Sequence, residues 1–273
     1  MGHQVSRNNA PEETRSSGEP QPPVRFQLMS DLHLETSQYN FDFPVAAENL
    51  ALLGDIGNTV DAALFEWLDA QLRRFMRVFF VAGNHEAYRS TLPESRKRLQ
   101  KYAAQNERFV LLDRTRYDLS PSLTILGCTL WSKLDAKQAS HIFMSLNDFR
   151  QIRDFDLRTY EGEHVADLEW LVRHIGYARK EHPQRKIIVF THNTPTYNGT
   201  SNPKYEGSLS GSAFSTELAN KRWWRPPIVL WGFGHTHYSC DLNIGGVRLV
   251  SNQKGYFRDP AAGFVEDTVV QLN

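Results

Sequence analysis

The sequence has few of the features that mark secreted, membrane-spanning or nucleic-acid-coating proteins. Only two of its 273 residues are cysteines, Cys128 and Cys240, so a disulfide framework is excluded and two buried thiols are expected. No apolar run approaches the roughly 20 residues that span a bilayer, and the N-terminus has no apolar signal core, so a cytoplasmic location is expected. Acidic and basic residues both number 31, and this zero net charge provides no general field for nucleic acid or anionic lipid.

The start of the chain also has very few apolar side chains. It is rich in Asn, Glu, Ser, Arg and Pro, and such a segment cannot bury enough surface to offset its chain entropy. Residues 1–23 are therefore predicted to form a disordered tail. The whole chain is 40% hydrophobic and 23% charged, which is typical of a globular protein. Residues 24–273 are predicted to form one domain.

That domain alternates between patterns typical of strands and of helices. Short apolar runs indicate buried strands, and apolar residues at helical spacing, as at Leu64, Trp67 and Leu68, indicate amphipathic helices. The predicted strands cover residues 24–29, 49–53, 78–81, 109–112, 123–131, 186–190, 228–231 and 265–272, with a hairpin over 241–250. The predicted helices cover residues 61–74, 93–105 and 163–180. The pattern as a whole predicts the α/β class.

Five short motifs each follow one of these strands. They are Asp31-Leu32-His33, Gly54-Asp55, Gly83-Asn84-His85-Glu86, Thr191-His192 and Gly234-His235-Thr236-His237. Functional groups of α/β proteins gather where strands end at one edge of a sheet, so we expect these side chains to lie together. A single histidine is more often a satisfied core or surface residue, but the fivefold recurrence favours a shared site. Carboxylate, imidazole and amide ligands without thiolate suit divalent Mn, Fe or Zn.

In this order the motifs resemble the calcineurin-like metallophosphoesterase superfamily, and they span residues 31–237, most of the chain. The resemblance implies an αββα fold, a two-sheet β-sandwich flanked by helices. It also implies two divalent metal ions. Their ligands would be Asp31, His33 and His237 for the first ion, Asn84, His192 and His235 for the second, and Asp55 as a bridge between both. His85 would be the catalytic histidine, close to the metals but not a ligand.

The chemistry of such a site is hydrolysis of a phosphate ester. Two divalent ions bridged by a carboxylate activate a water for in-line attack on phosphorus, and protonated His85 could donate a proton to the leaving alkoxide. Residues 30–34 read Ser-Asp-Leu-His-Leu, as in compact phosphodiesterase-like branches of the superfamily. A phosphodiesterase acting on cyclic nucleotides or small phosphodiesters is therefore favoured. A phosphomonoesterase or nuclease on the same site is the alternative, and a non-catalytic scaffold is disfavoured because every ligand position is filled.

Two positions depart from the family pattern. Asn58 stands where the protein Ser/Thr phosphatase branch has the aspartate that orients the catalytic histidine, which argues against a protein phosphatase. Glu86 and Asn58 are then the candidates for orienting His85. Asn193 stands where the fourth motif commonly has a second histidine. Because His192 is the position that matches the ligand, metal binding should survive this change.

Two long segments, residues 132–160 and 193–220, break the alternation of strands and helices. Long irregular segments are often functional, so both are predicted to be walls or lids of the active site, although parts of each could be plain surface loops. Asn147, Tyr197 and Lys204 are the candidate substrate-binding residues within them. The expected partner is a small phosphate ester. The sequence gives no strong signal for binding to nucleic acid or to a membrane, and it makes no prediction of the oligomeric state.

Overall fold

The computed structural model describes residues 23–272. The predicted tail, residues 1–23, lies outside this range apart from Pro23, and it stays a prediction. Among the described helices none is both long enough and apolar enough to cross a membrane.

The described residues form thirteen strands and five α-helices. The strands are β1 (Val24–Met29), β2 (Asn49–Leu53), β3 (Arg77–Val81), β4 (Phe109–Leu111), β5 (Thr115–Ser120), β6 (Leu123–Cys128), β7 (Lys186–Thr191), β8 (Ile228–Phe233), β9 (Cys240–Ile244), β10 (Val247–Ser251), β11 (Gly255–Tyr256), β12 (Asp259–Pro260) and β13 (Val269–Leu272). The helices are α1 (Ala62–Arg74), α2 (Leu92–Gln105), α3 (Ala139–Ser145), α4 (Asp148–Gln151) and α5 (Leu157–Glu181).

Two main sheets form the centre of the fold. One has the strand order β13-β1-β2-β3-β4, with β1 to β4 parallel and β13 antiparallel. The other has the order β5-β6-β7-β8-β10-β9, with a parallel centre and antiparallel edge strands β5 and β9. Their facing sides share one apolar cluster, in which the rings of Phe26 and Phe190 meet edge to face at 5.5 Å. The sheets therefore pack as a sandwich.

Helices cover the outer faces of both sheets. Side chains of α1 and α2, such as Leu68 and Leu99, pack in a cluster with Leu52 and Phe80 of the first sheet. Helix α5 packs on the second sheet through Leu171 and Ile175, among others. Strands buried on both faces read as continuous apolar runs, which explains why they were recognisable in the sequence. The predicted α/β class and the two-sheet sandwich flanked by helices are confirmed.

The boundaries differ from the prediction where tertiary contacts decide them. Strand β6 stops at Cys128 rather than at residue 131, because the buried carboxylate of Asp167 accepts the backbone N–H of Leu130, which has a φ of 58°. Strand β13 starts at Val269 rather than at residue 265, because Asn252 accepts the N–H of Val265 in the preceding turn.

Other differences concern elements with weak patterns. Helix α5 begins at Leu157 rather than at residue 163, because Asp156 caps it by accepting the N–H of Thr159 at 2.7 Å. The segment 132–160, read as irregular, contains α3 and α4, and the half-exposed edge strand β5 was not predicted. Both cysteines are free thiols, and Cys128 is buried as expected while Cys240 is half-buried on an edge strand.

Candidate active site

The five motif loops meet at one end of the sandwich. In the first sheet, the loop after β1 pairs with the loop after β2, since the N–H of Asp31 donates to the carbonyl of Gly54 at 2.9 Å. In the second sheet, the N–H of Gly234 after β8 donates to the carbonyl of His192 after β7 at 2.8 Å. These backbone hydrogen bonds thus fix the Cα positions from which the motif side chains extend.

Side chains from these loops converge to near contact. The Nε2 atoms of His33 and His237 lie 3.0 Å apart, and His237 Nε2 lies 3.5 Å from an oxygen of Asp31. On the other side, His192 Nε2 lies 3.1 Å from Asn84 Oδ1 and 3.4 Å from Asp55 Oδ1. Ligand atoms within 4.8 Å of one another occur in three overlapping groups: Asp31, His33 and His237; His33, Asp55 and His85; and Asp55, His192 and His235. The structure thus brings together all seven predicted ligands and His85.

The loops hold these side chains in strained backbone conformations. Left-handed conformations cost L-residues roughly 1–2 kcal/mol and persist only where the surrounding structure enforces them, often at functional sites. Five of the predicted ligands have φ between 44° and 75°: Asp31, His33, Asp55, His235 and His237. Five of the seven predicted ligands therefore have this conformation, compared with six other non-glycine residues in the whole of residues 23–272.

The motif glycines leave room for the ligand side chains. A Cβ at Gly83 would lie 2.2 Å from Asp55 Oδ1, and a Cβ at Gly54 would lie 2.3 Å from His192 Nδ1. Any other residue at these two positions would displace a predicted ligand. This close approach is the physical reason for the glycine in the Gly-Asp and Gly-Asn motifs.

The chemistry of the donor set fits a divalent cation. Asp31 and Asp55 are buried, and within residues 23–272 their ion-pair partners are histidines rather than Lys or Arg. Burial opposes a charged His192, but the nearby carboxylates of Asp55 and Asp31 outweigh it and raise the pKa of His192 to about 10. A bound cation would supply the positive charge these carboxylates require and would displace the proton of His192.

The amide of Asn84 is oriented by a residue that no motif contains. Its Nδ2 donates to Asp148 Oδ1 at 2.8 Å, and the hydroxyl of Tyr88 donates to the same oxygen at 2.6 Å. With its NH₂ group held in this way, Asn84 presents Oδ1 towards His192. Asp148 is buried at the start of α4. The sequence indicated only the neighbouring Asn147, as a candidate substrate contact, and this role of Asp148 was not predicted.

Asp148→Ala should weaken the cation held by Asn84, His192 and His235. Partners that orient ligands typically contribute a factor of about 10–100 in metal affinity. Calorimetric or chelator-competition titration with Mn and Zn would measure the loss. Asp148→Asn keeps one oxygen acceptor and should lose less. Equal affinity in the alanine variant and the wild type would contradict the orienting role.

His85 is held by the carboxylate of Glu35 and not by either of the two candidate residues, Glu86 and Asn58. Its Nδ1 lies 2.9 Å from Glu35 Oε1, and its Nε2 lies 3.8 Å from Asp55 Oδ2. The carboxylate of Glu86 instead accepts backbone N–H groups, including that of Gly83 at 2.6 Å, and Asn58 accepts from Arg89. The two candidate orienters from the sequence are therefore replaced by Glu35, whose only signal was its place two residues after His33.

The electrostatics of the chain favour the protonated form of His85. Burial lowers its pKa, but the charges of Asp55 and Glu35 outweigh burial and raise the pKa to about 9. Nearby cations would oppose this shift by repulsion. Glu35 and Asp55 therefore provide the negative charge that keeps a proton-donating histidine protonated beside cations.

A groove of about 1030 Å³ opens above the predicted ligands. Its walls come largely from the two irregular segments, as predicted, and from the short hairpin of β11 and β12. Asn147, Tyr197 and Lys204 all lie on its lining, and their side chains are exposed. Their contact with substrate stays a prediction.

Comparison with known proteins identifies the family. The chain belongs to the calcineurin-like phosphoesterase family, whose sequence model matches residues 24–239. Uncharacterized protein L509 of Acanthamoeba polyphaga mimivirus is 30% identical over 256 residues, covering 84% of this chain and 90% of that protein. Family membership and the clustered His and Asp side chains make the chain a phosphoric ester hydrolase with a divalent-metal site.

A solved structure of another protein shows the same architecture. Phosphopantetheinyl hydrolase from Mycobacterium tuberculosis superposes with a TM-score of 0.64 at 16% identity, covering 92% of this chain and 96% of that one. A dimetal phosphatase from Danio rerio superposes with a TM-score of 0.49 at 13% identity, covering 89% and 91%.

Proposed function

We propose that the protein is a two-metal phosphodiesterase that hydrolyses small phosphodiesters. The position of Asp55 carries this proposal. Its Oδ1 lies 3.4 Å from His192 Nε2 and its Oδ2 lies 3.9 Å from His33 Nε2, so one carboxylate faces both groups of predicted ligands. Two bound ions, which the donor set would accept as Mn, Fe or Zn, would supply an activated water and neutralise charge on the phosphoryl oxygens.

The charge of the groove supports a diester over a monoester or a polynucleotide. Among its lining residues, all of them in the described part of the chain, Lys204 is the single Lys or Arg. The rest of the outer wall is mainly hydroxyl and amide groups, as in the stretch from Asn198 to Ser212, together with the carboxylates of Asp135, Glu206 and Asp259. A polynucleotide requires clustered cations, and a dianionic monoester would gain from them. A monoanionic diester needs only the metal site and neutral donors.

The size of the groove supports the same conclusion. Ligand pockets commonly enclose about 300–1,000 Å³, and this groove, at about 1030 Å³, lies just above that range. It can accommodate an organic group on each side of the phosphorus. Cyclic nucleotides and other small phosphodiesters are the substrates that this shape and charge favour.

The test compares three substrates on purified protein loaded with Mn, Fe or Zn. We expect kcat/KM to be highest for bis(p-nitrophenyl) phosphate, lower for p-nitrophenyl phosphate and lowest for a single-stranded oligonucleotide, with two ions bound per chain. Faster hydrolysis of the monoester would favour the phosphomonoesterase, and faster hydrolysis of the oligonucleotide would favour the nuclease. Hydrolysis of none of the three would remove the catalytic proposal.

A further inference from the structure

Tyr256 belongs to none of the five motifs, yet it lies over their meeting point. Its ring stacks on the imidazole of His33 with centroids 4.1 Å apart and meets His237 edge to face at 4.8 Å. Its hydroxyl lies 3.3 Å from His85 Nε2. The side chain thus contacts two predicted metal ligands and the predicted proton donor.

The backbone fixes this ring against the loop that carries Asp31. The N–H of Lys254 donates to the carbonyl of Ser30 at 3.1 Å, and the N–H of Ala261 donates to the carbonyl of Lys254 at 2.8 Å. Between these bonds, β11 and β12 pair Tyr256 with Asp259. The hairpin is therefore hydrogen-bonded to the metal-ligand loop. These backbone bonds fix the position from which the Tyr256 side chain extends.

The phenol is also accessible from the groove. Tyr256 is 36% exposed and lies on the groove lining with His85 and Asp55. An oxygen atom placed to accept a proton from His85 Nε2 would therefore lie within reach of the Tyr256 hydroxyl. A phenol is a neutral donor at neutral pH, which suits the oxygen of a monoanionic phosphodiester.

We propose that Tyr256 is a substrate-contacting residue whose hydroxyl donates a hydrogen bond to the phosphoryl group held beside His85. This inference rests on the proposed function, because it takes a phosphate ester as the ligand. It adds a neutral donor to the metal ligands and His85.

Tyr256→Phe removes the hydroxyl and keeps the ring on His33. In metal-loaded protein we expect orthophosphate, measured by calorimetry, to bind about ten times more weakly, because a hydrogen bond to a charged group is lost. The value of kcat/KM for the diester should fall by a similar factor. Metal content and Tm should stay unchanged. The matched control is Tyr177→Phe, an exposed tyrosine on α5, which should match the wild type in every readout.

Two results would overturn the inference. One is a Tyr256→Phe variant with wild-type phosphate affinity and wild-type kcat/KM, and the other is a variant that loses bound metal, since Tyr256 would then act on the metal site. Phosphate binding needs no turnover, so the two proposals can fail separately. If Tyr256→Phe binds phosphate more weakly than the wild type, and the wild type hydrolyses no ester, only the proposed function is contradicted. A wild type that binds no phosphate would remove the Tyr256 contact.

Discussion

Asp55→Asn should remove at least one bound cation and lower kcat for the diester by about 10³-fold, since metal ions contribute several kcal/mol to stabilising the charge of the transition state. Among residues 23–272, Asp55 is the one carboxylate that faces both groups of predicted ligands, with distances of 3.4 Å to His192 and 3.9 Å to His33. Asparagine has the same shape, and its Oδ1 can still accept the backbone N–H of His85, which donates to Asp55 Oδ1 at 2.9 Å. The loss should therefore come from charge and bridging, with the fold retained.

Metal analysis after gel filtration and steady-state kinetics would measure both effects, with Tm as the check on folding. Asp241→Asn is the matched control, because Asp241 is exposed on β9 and pairs only with Arg248 among the described ion pairs. It should retain the metal content and kcat of the wild type. Wild-type metal content together with wild-type kcat in Asp55→Asn would show that Asp55 does not bridge cations.

The sequence predicted the site residues that lie in a loop directly following a strand. Each predicted ligand comes directly after a buried strand, and buried parallel strands are easily read as apolar runs. The convergence of Asp31 and His237, 206 positions apart, follows once the strands share one end of a sandwich. The strand-end motifs alone predicted the α/β class and a shared site, and the family resemblance that they carry implied the two-sheet sandwich and the individual ligand roles.

What the sequence did not reveal are the residues that act through tertiary contacts. Glu35, Asp148 and Tyr256 orient or touch motif residues, but they come from a short turn, a four-residue helix and a two-residue strand. None of these elements is long enough to produce a periodic signal. Glu86 shows the converse case, since a carboxylate next to His85 in sequence turns away to accept backbone N–H groups. Proximity in sequence was misleading here because a tight turn separates neighbouring side chains.

His85→Ala should keep the metal content and lower kcat by roughly 10²–10⁴-fold, the usual contribution of a positioned general acid. Glu35 at 2.9 Å holds the Nδ1 side of the ring, which leaves Nε2 facing the cleft near Asp55. The loss should depend on the leaving group. An alkyl ester, whose alkoxide needs a proton, should lose most, and a p-nitrophenyl ester, whose phenolate leaves without one, should lose least.

This dependence separates proton donation from metal binding, which matters because the ring nitrogen of His85 also lies within 4.8 Å of ligand atoms of His33 and Asp55. If His85→Ala loses a cation, and activity falls equally for both leaving groups, His85 is a ligand rather than a proton donor. Glu35→Gln refines the test, since a positioning residue should cause a smaller loss with the same leaving-group trend. It should also move the alkaline limb of the pH–rate profile to lower pH, because removing the Glu35 charge removes one of the three carboxylates, those of Asp55, Glu35 and Asp148, that raise the pKa of His85.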